Sequence, residues 1–344
     1  MKDAKPRKPT LGVMLHVTPQ DEQTPTQTYA EFGRLVREIE TLGYQQAWVT
    51  EHHFTPHSLT PAPLLMMGHF LAQTTRLQLG SAAVLVGFHN PIEVAEQLAT
   101  LNTLYPQRVL CGFAKGGPFE SQNAAFKADA ELSRARMEEA VPAVLKLINH
   151  PSSNHLGKHY QWGTLNLHPR THLAAAQCFM ATSHPSSLEI ATHHDLGLMA
   201  AQFWDQAKIE ANIAAYRHLH PQGKTPQMMA ARGLFIADSE EEAQTLAWQH
   251  IQSFRAQKAQ LWGQKGTNHR GPMQGLSKEE LLERMLCGTM EQVSQQVQSL
   301  IDIGVSQLGL NPLTSDHNTR LQQLQCFKNA IWDPLLKNRY EDAA

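Results

Sequence analysis

A single (β/α)8 TIM barrel with insertions after strand 4 and strand 7 is the fold this sequence predicts, and three observations predict it. Eight strand candidates run through the chain, each followed by a helix, which is the count and rhythm of a closed parallel barrel. The 344 residues suit one large α/β barrel or two ordinary domains, and the later strands keep the rhythm of the earlier ones, which favours one. No GxGxxG follows the first strand, which speaks against the alternative, a doubly wound sheet. Residues 1–10 read as a flexible polar tail and 11–344 as the barrel domain.

The apolar run Leu11-Gly12-Val13-Met14-Leu15-His16-Val17 is the first strand. A loop with Pro19 and Pro25 leads to a helix over 29–42, where Phe32, Leu35, Val36 and Ile39 share one face and Gly43 provides the stop. The second strand, 47–54, runs into a cluster of titratable groups, and a helix follows over 63–74. The third strand covers 77–84, and Pro91 opens a helix that ends at Tyr105. The fourth strand, 109–113, ends at Ala114-Lys115-Gly116-Gly117-Pro118.

Regularity then loosens. A connection over 118–129 precedes a helix over 132–148, which tolerates Pro142, and 155–170 reads as a hairpin-like excursion. Strands at 177–182, 198–202, 228–237 and 307–310 alternate with helices at 186–194, 209–218, 240–253 and 290–303. A last helix covers 319–332. Segment 255–276, with Gly263, Gly266, Gly271 and Gly275, reads as a mobile cover over the barrel mouth, because loops of that length are usually lids or disorder.

Charge and composition exclude several classes. With 29 basic and 31 acidic residues the net charge is −2, so no basic surplus points to nucleic acid or to an anionic membrane. No secretory signal or membrane span is expected, because the polar opening has no apolar segment behind it. Cys111, Cys178, Cys287 and Cys326 are scattered, which argues against a zinc ribbon or a disulfide scaffold and fits a reducing cytoplasm. No metal is expected either: HExxH is absent, and the pairs His52-His53 and His193-His194 have the wrong spacing for joint ligation.

In a barrel, residues just past the strands converge on one mouth. Here they are His16, Glu51, His52, Ala82, Ala83, Lys115, Thr182, Ser183, Gln202, Phe203, Trp204, Arg232 or Leu234, and Asn311. The set lacks paired carboxylates for glycoside chemistry and a serine nucleophile elbow. Small residues on the third strand, with Gly116 and Gly117 after the fourth, let a flat ring approach the backbone. Neighbouring side chains on a strand face opposite ways, so only one of His52 and His53 looks into a pocket. Ser186 with Glu189 three residues on fits a capping box. The same helix start could also hold an anion, with Lys115 adding charge across the mouth.

Five motifs then stand in register: Glu51-His52-His53-Phe54, Gly80-Ser81-Ala82-Ala83-Val84, Asn90-Pro91 with its helix, Arg108-Val109-Leu110-Cys111-Gly112-Phe113, and Cys287-Gly288-Thr289-Met290-Glu291-Gln292-Val293. With them the chain resembles the bacterial luciferase family of flavin-dependent monooxygenases, over residues 11–310. The resemblance implies a barrel that binds flavin mononucleotide (FMN) at its carboxyl mouth, as a homodimer. It implies that a separate flavin reductase delivers the reduced FMN. Reaction with O2 then gives a C4a-peroxyflavin, which oxygenates an aldehyde, ketone or similar small organic substrate.

By position the resemblance makes His52 the catalytic histidine, facing the flavin while His53 packs outward. It sets Ala82 and Ala83 at the isoalloxazine ring, joined by a cis peptide, and Trp204 beside the flavin. Lys115 stands where the family has a phosphate-contacting arginine, and Thr182 and Ser183 fall on its phosphate pair. Two departures are visible. Ala114 replaces a reactive cysteine, and Lys115 lacks the bidentate fork of arginine. Two other readings are a deazaflavin (F420)-dependent oxidoreductase, against which Glu51-His52 speaks, and a non-catalytic FMN-binding barrel, which would have no need of His52.

Overall fold

The computed structural model describes residues 8–117, 119–261, 273 and 275–340. Most of the expected tail therefore lies outside the described residues, and so does the middle of the expected cover with Gly263, Gly266 and Gly271. The first half alternates strictly. β1 (Thr10–Leu15), α1 (Pro25–Thr41), β2 (Gln46–Val49), α2 (Pro63–Leu71), β3 (Gln78–Val84), α3 (Pro91–Leu104) and β4 (Val109–Phe113) follow one another. Next come α4 (Glu120–Ala125), α5 (Ala130–Asn149) and the hairpin β5 (Ser153–Leu156) with β6 (Gln161–Leu165). Alternation resumes with β7 (Cys178–Met180), α6 (Pro185–His193), β8 (Gly197–Ala200), α7 (Gln206–Leu219), β9 (Met228–Ile236) and α8 (Glu240–Leu261). The chain closes with α9 (Lys278–Leu282), β10 (Leu286–Gly288), α10 (Met290–Asp302), β11 (Gln307–Pro312), α11 (His317–Cys326) and α12 (Asp333–Tyr340).

Eight strands pair in parallel around a closed ring, β1-β2-β3-β4-β7-β8-β9-β11, with β11 returning to β1. Closure excludes the doubly wound sheet and fixes the (β/α)8 TIM barrel. The insertions fall after the fourth and seventh barrel strands, as expected. A ninth strand, β10, was not expected from the sequence. It pairs outside the ring with the far end of β9, Leu286 opposite Leu234, and three residues are too few to show a period.

Local signals explain most boundaries. Thr24 caps α1 in a reciprocal box with Gln27, and Pro25 takes the first helical position. Gly43 then adopts φ +84°, the left-handed conformation that ends a helix. β2 stops at Val49 rather than at residue 54. Beyond it His52 N–H bonds the Thr60 carbonyl, and Phe54 has φ +56°, which no strand accepts. The expected helix over 240–253 runs on to Leu261, so the start of the expected cover is helical. The expected helix over 319–332 is α11 followed by a π-helical turn, Phe327–Trp332, that leads into α12.

Two cores result. One lies between barrel and helices, where Phe32, Leu35, Val36 and Ile39 of α1 join Leu11, Val13 and Leu15 of β1. The other fills the barrel with Met14, Trp48, Leu110, Phe179, Met199 and Met229, and Trp48 meets Phe179 edge-on at 5.5 Å. All four cysteines are free thiols, and no described helix is long and apolar enough to cross a membrane.

Candidate active site

The carboxyl ends of the barrel strands open into two adjoining cavities. The first, of about 440 Å³, is mostly apolar; Ala82, Ala83, Ala114, Gly116, Gly117, Ala181, Ala201 and Ala231 line part of it, and Glu51, Leu85, Trp204, Phe119 and Met273 are among the larger groups. The second, of about 360 Å³, is polar. Met14, His16, His52, Gln202, Phe203 and Phe254 border both.

Ala82 and Ala83 at the end of β3 line the first cavity, and the peptide that joins them is cis, as expected. His52 sits at the boundary between the cavities, its ring stacked on His16 at 6.1 Å. Side chains past β2 still alternate. His52 looks toward the cavities, while His53 packs against the Phe126 ring at 4.8 Å and turns its Nε2 to Glu51.

Glu51 is buried, and its two oxygens accept three hydrogen bonds. Oε2 takes the Leu85 N–H at 2.8 Å, and Oε1 lies 2.8 Å from His53 Nε2 and 2.7 Å from His89 Nε2. Burial pushes its pKa up, but the hydrogen bonds from His53 and His89, the charge on His89 and the Leu85 N–H outweigh that and hold it below the ordinary value. Burial lowers the pKa of His89, and Glu51 more than reverses this. The ligand atoms of Glu51, His53 and His89 lie within 4.8 Å of one another, close enough to consider a metal, but both imidazoles already bond the carboxylate. The cluster is a brace between the segment after β2 and the turn after β3.

Of the expected cofactor residues, Ala82, Ala83, Gly116 and Trp204 line the apolar cavity. Lys115, Thr182 and Ser183 do not line it; they stand one or two residues beyond Ala114 and Ala181, which do. Burial lowers the Lys115 pKa, and the Arg134 charge lowers it further. Thr182 accepts the His184 N–H, and Ser183 is exposed at the start of α6.

The capping box expected at Ser186 and Glu189 is absent. Pro185 takes the first helical position, so the helix begins one residue earlier, with His184 as its cap. The hydroxyls of Ser186 and Ser187 instead donate to one oxygen of Glu138 on α5, each at 2.6 Å. A carboxylate already occupies that side of the helix start.

Trp204 is placed by Arg232. That buried guanidinium donates to the carbonyls of Ala231, Gln202 and Trp204, and burial pushes its pKa down to about 10. Lys208 caps the Trp204 ring at 4.3 Å. Asn311 donates to Gln202 Oε1 at 2.9 Å, tying the ends of β8 and β11.

Sequence reasoning missed His89, Arg134, Glu138, His57 and His250. His89 directly precedes Asn90-Pro91, and Arg134 and Glu138 lie four apart on one helix, so their positions were legible even though their partners were not.

The family model for luciferase-like monooxygenases matches residues 10–307. The uncharacterized protein YwcH of Bacillus subtilis (strain 168) is 27% identical over 77% of this chain and 82% of its own length. The oxygenase component of the flavin-dependent trigonelline monooxygenase of Acinetobacter baylyi is 25% identical, over 66% of this chain and 64% of its own length. The crystal structure of monooxygenase RslO1 from Streptomyces bottropensis superposes with a TM-score of 0.82 at 21% identity, covering 94% of this chain and 99% of that one, and shares its fold.

Proposed function

Because the chain belongs to the luciferase-like monooxygenases, we propose that it is the oxygenase component of a flavin-dependent monooxygenase that uses reduced FMN and O2 to oxygenate a small organic substrate. The observation that carries this reading is the apolar cavity lined by Ala82 and Ala83 with His52 at its border with the polar one. A flat tricyclic ring needs a slot walled by small residues, and Ala82, Ala83, Ala114, Gly116 and Ala181 provide one. The relative named as a flavin-dependent oxygenase component supports the same reading. A separate flavin reductase supplies the reduced cofactor, and the working form is a cytoplasmic homodimer.

Ala82, Ala83, Gly116 and Trp204 hold the ring. Lys115, Thr182 and Ser183 hold the phosphate, and Arg134 adds positive charge beside Lys115. Bound and reduced, the flavin supplies the electrons that activate O2. His52 exchanges a proton with the reacting substrate through its imidazole nitrogen, the group best suited to this near neutral pH. Phe119, Phe254 and Met273 shield the slot from water. Glu51 does not touch the reacting atoms; it ties the segment after β2 to the turn after β3 by bonding the Leu85 N–H.

Anaerobic titration of the purified protein with reduced FMN, oxidised FMN and reduced F420 tests the reading. Reduced FMN is expected to bind tightest, and admitting O2 should then oxidise it at the protein. Tighter binding of F420 would replace this reading with a hydride-transfer function.

A further inference from the structure

Only the apolar cavity is needed for a flat cofactor, which leaves the polar one to be explained. It opens past the His16–His52 ring pair, and hydrogen-bonding side chains face it from several elements: His57 after β2, Gln202 after β8, His250 on α8 and Asn311 on β11. We infer that this chamber holds the substrate, and that the substrate is a compact polar molecule without negative charge, with at least two hydrogen-bonding groups, rather than an alkyl-chain compound. The inference rests on the flavin reading of the adjoining slot.

The guanidinium charge at the chamber is already committed. Arg320, the guanidinium among the described lining residues, pairs with Glu31 at 3.3 Å and donates to the carbonyls of Thr314 and Ser315. Its face also covers the Phe32 ring at 4.8 Å. Burial lowers the pKa of His250, which keeps that imidazole neutral at neutral pH. The exposed carboxylate of Asp21 stands at the wall and repels an anion. A carboxylate substrate would find no uncommitted counter-ion in Arg320 or His250.

Hydrogen-bonding capacity is what the chamber offers. A neutral imidazole presents one donor and one acceptor, and each carboxamide presents both. An alkyl chain would strip water from these groups and return no partner, which disfavours it however well it fills the space. A volume of about 360 Å³ lies at the small end of ligand sites, hence a compact molecule.

Isothermal titration of the full chain, with FMN and without it, against nicotinamide, nicotinate and octanal tests this. Nicotinamide is expected to bind at least about tenfold tighter than either of the others, as a hydrogen-bonding site discriminates. Asn311→Leu and His250→Leu should each move octanal ahead of nicotinamide. Tighter binding of octanal or nicotinate by the parent overturns the inference, as does an order that neither variant changes. FMN affinity, measured on the same samples, is a separate readout: if FMN does not bind, the flavin reading fails while the ranking in FMN-free protein still decides the chamber's chemistry.

Discussion

Glu51 Oε1 lies 2.7 Å from His89 Nε2, joining two loops that come from neighbouring barrel strands. The same carboxylate receives the His53 imidazole and the Leu85 N–H, so one buried group ties together segments that line the apolar cavity.

The brace has a pH window. The Glu51 pKa is lowered, so its contribution is present above the ordinary value of 4.5 and is lost as pH falls through the lowered one. The His89 pKa is raised, so its contribution is complete below 6.5 and is lost as pH rises through the raised value. Glu51→Gln is expected to cost roughly 1.5–3 kcal/mol, the range for hydrogen bonds to a charged group. Urea unfolding at several pH values should show the parent–variant gap widest between those two ordinary values and narrower on both sides. A gap of constant size would mean that the brace is not ionic.

His52→Ala should leave FMN affinity within a few-fold, because backbone and small side chains form the slot. Oxygenated product should fall by roughly 10²–10⁴, the usual contribution of a positioned acid or base. Cofactor oxidation should continue, with its oxygen recovered as hydrogen peroxide. Equal product yields and parallel pH profiles for parent and variant would reduce His52 to a packing residue.

Charge at the start of α6 should tune the hold on the phosphate. Glu138→Gln removes the negative charge bonded to Ser186 and Ser187, and should tighten FMN by about twofold to fivefold, equivalent to ~0.3–1 kcal/mol at a helix terminus. Ser183→Asp should weaken FMN, and by more than Ser183→Ala. Fluorescence titration with riboflavin, which has no phosphate, is the control. If riboflavin responds as FMN does, the phosphate lies elsewhere.

Gly112 is closed to any side chain. A Cβ there would stand 2.5 Å from the Ser81 carbonyl oxygen and 2.4 Å from Met199 Sδ, and the carbonyl cannot yield. Gly112→Ala should destabilise by roughly 1–3 kcal/mol, as overpacking does. Chemical denaturation would register it, and unchanged stability would mean that β3 and β4 can move apart.

The barrel was legible because its strands are apolar runs between clear stops. Val109 to Phe113 is such a run, and Gly43 marks the helix end before β2. Three-residue β10 carries too little pattern to be read, and the polar tail of α8 resembles loop until its helix is seen. At the site, residues on or just past a strand end were placed well: His16, His52, Ala82, Ala83, Gln202 and Asn311 all reach the mouth. What periodicity cannot give is pairing between distant segments. Glu51 with His89, and Glu138 with Ser186 and Ser187, are contacts across 38 and 48 or more residues. The capping box failed because Pro185 takes the first helical position, which puts the cap at His184, two residues before Ser186.

The slot is built from strand ends, whereas one wall of the polar chamber rides on α8, a helix of 22 residues and about 33 Å. His250, Ser253 and Phe254 sit on that helix, and Ala243, Ala247 and Ile251 anchor it in a cluster that Phe254 joins. Descent with modification can therefore act on the two halves separately. Replacements at the helix positions that face the polar chamber alone give a lineage a new diet without disturbing the inherited apparatus beside it, and a laboratory library confined to positions 250 and 253 samples that same freedom.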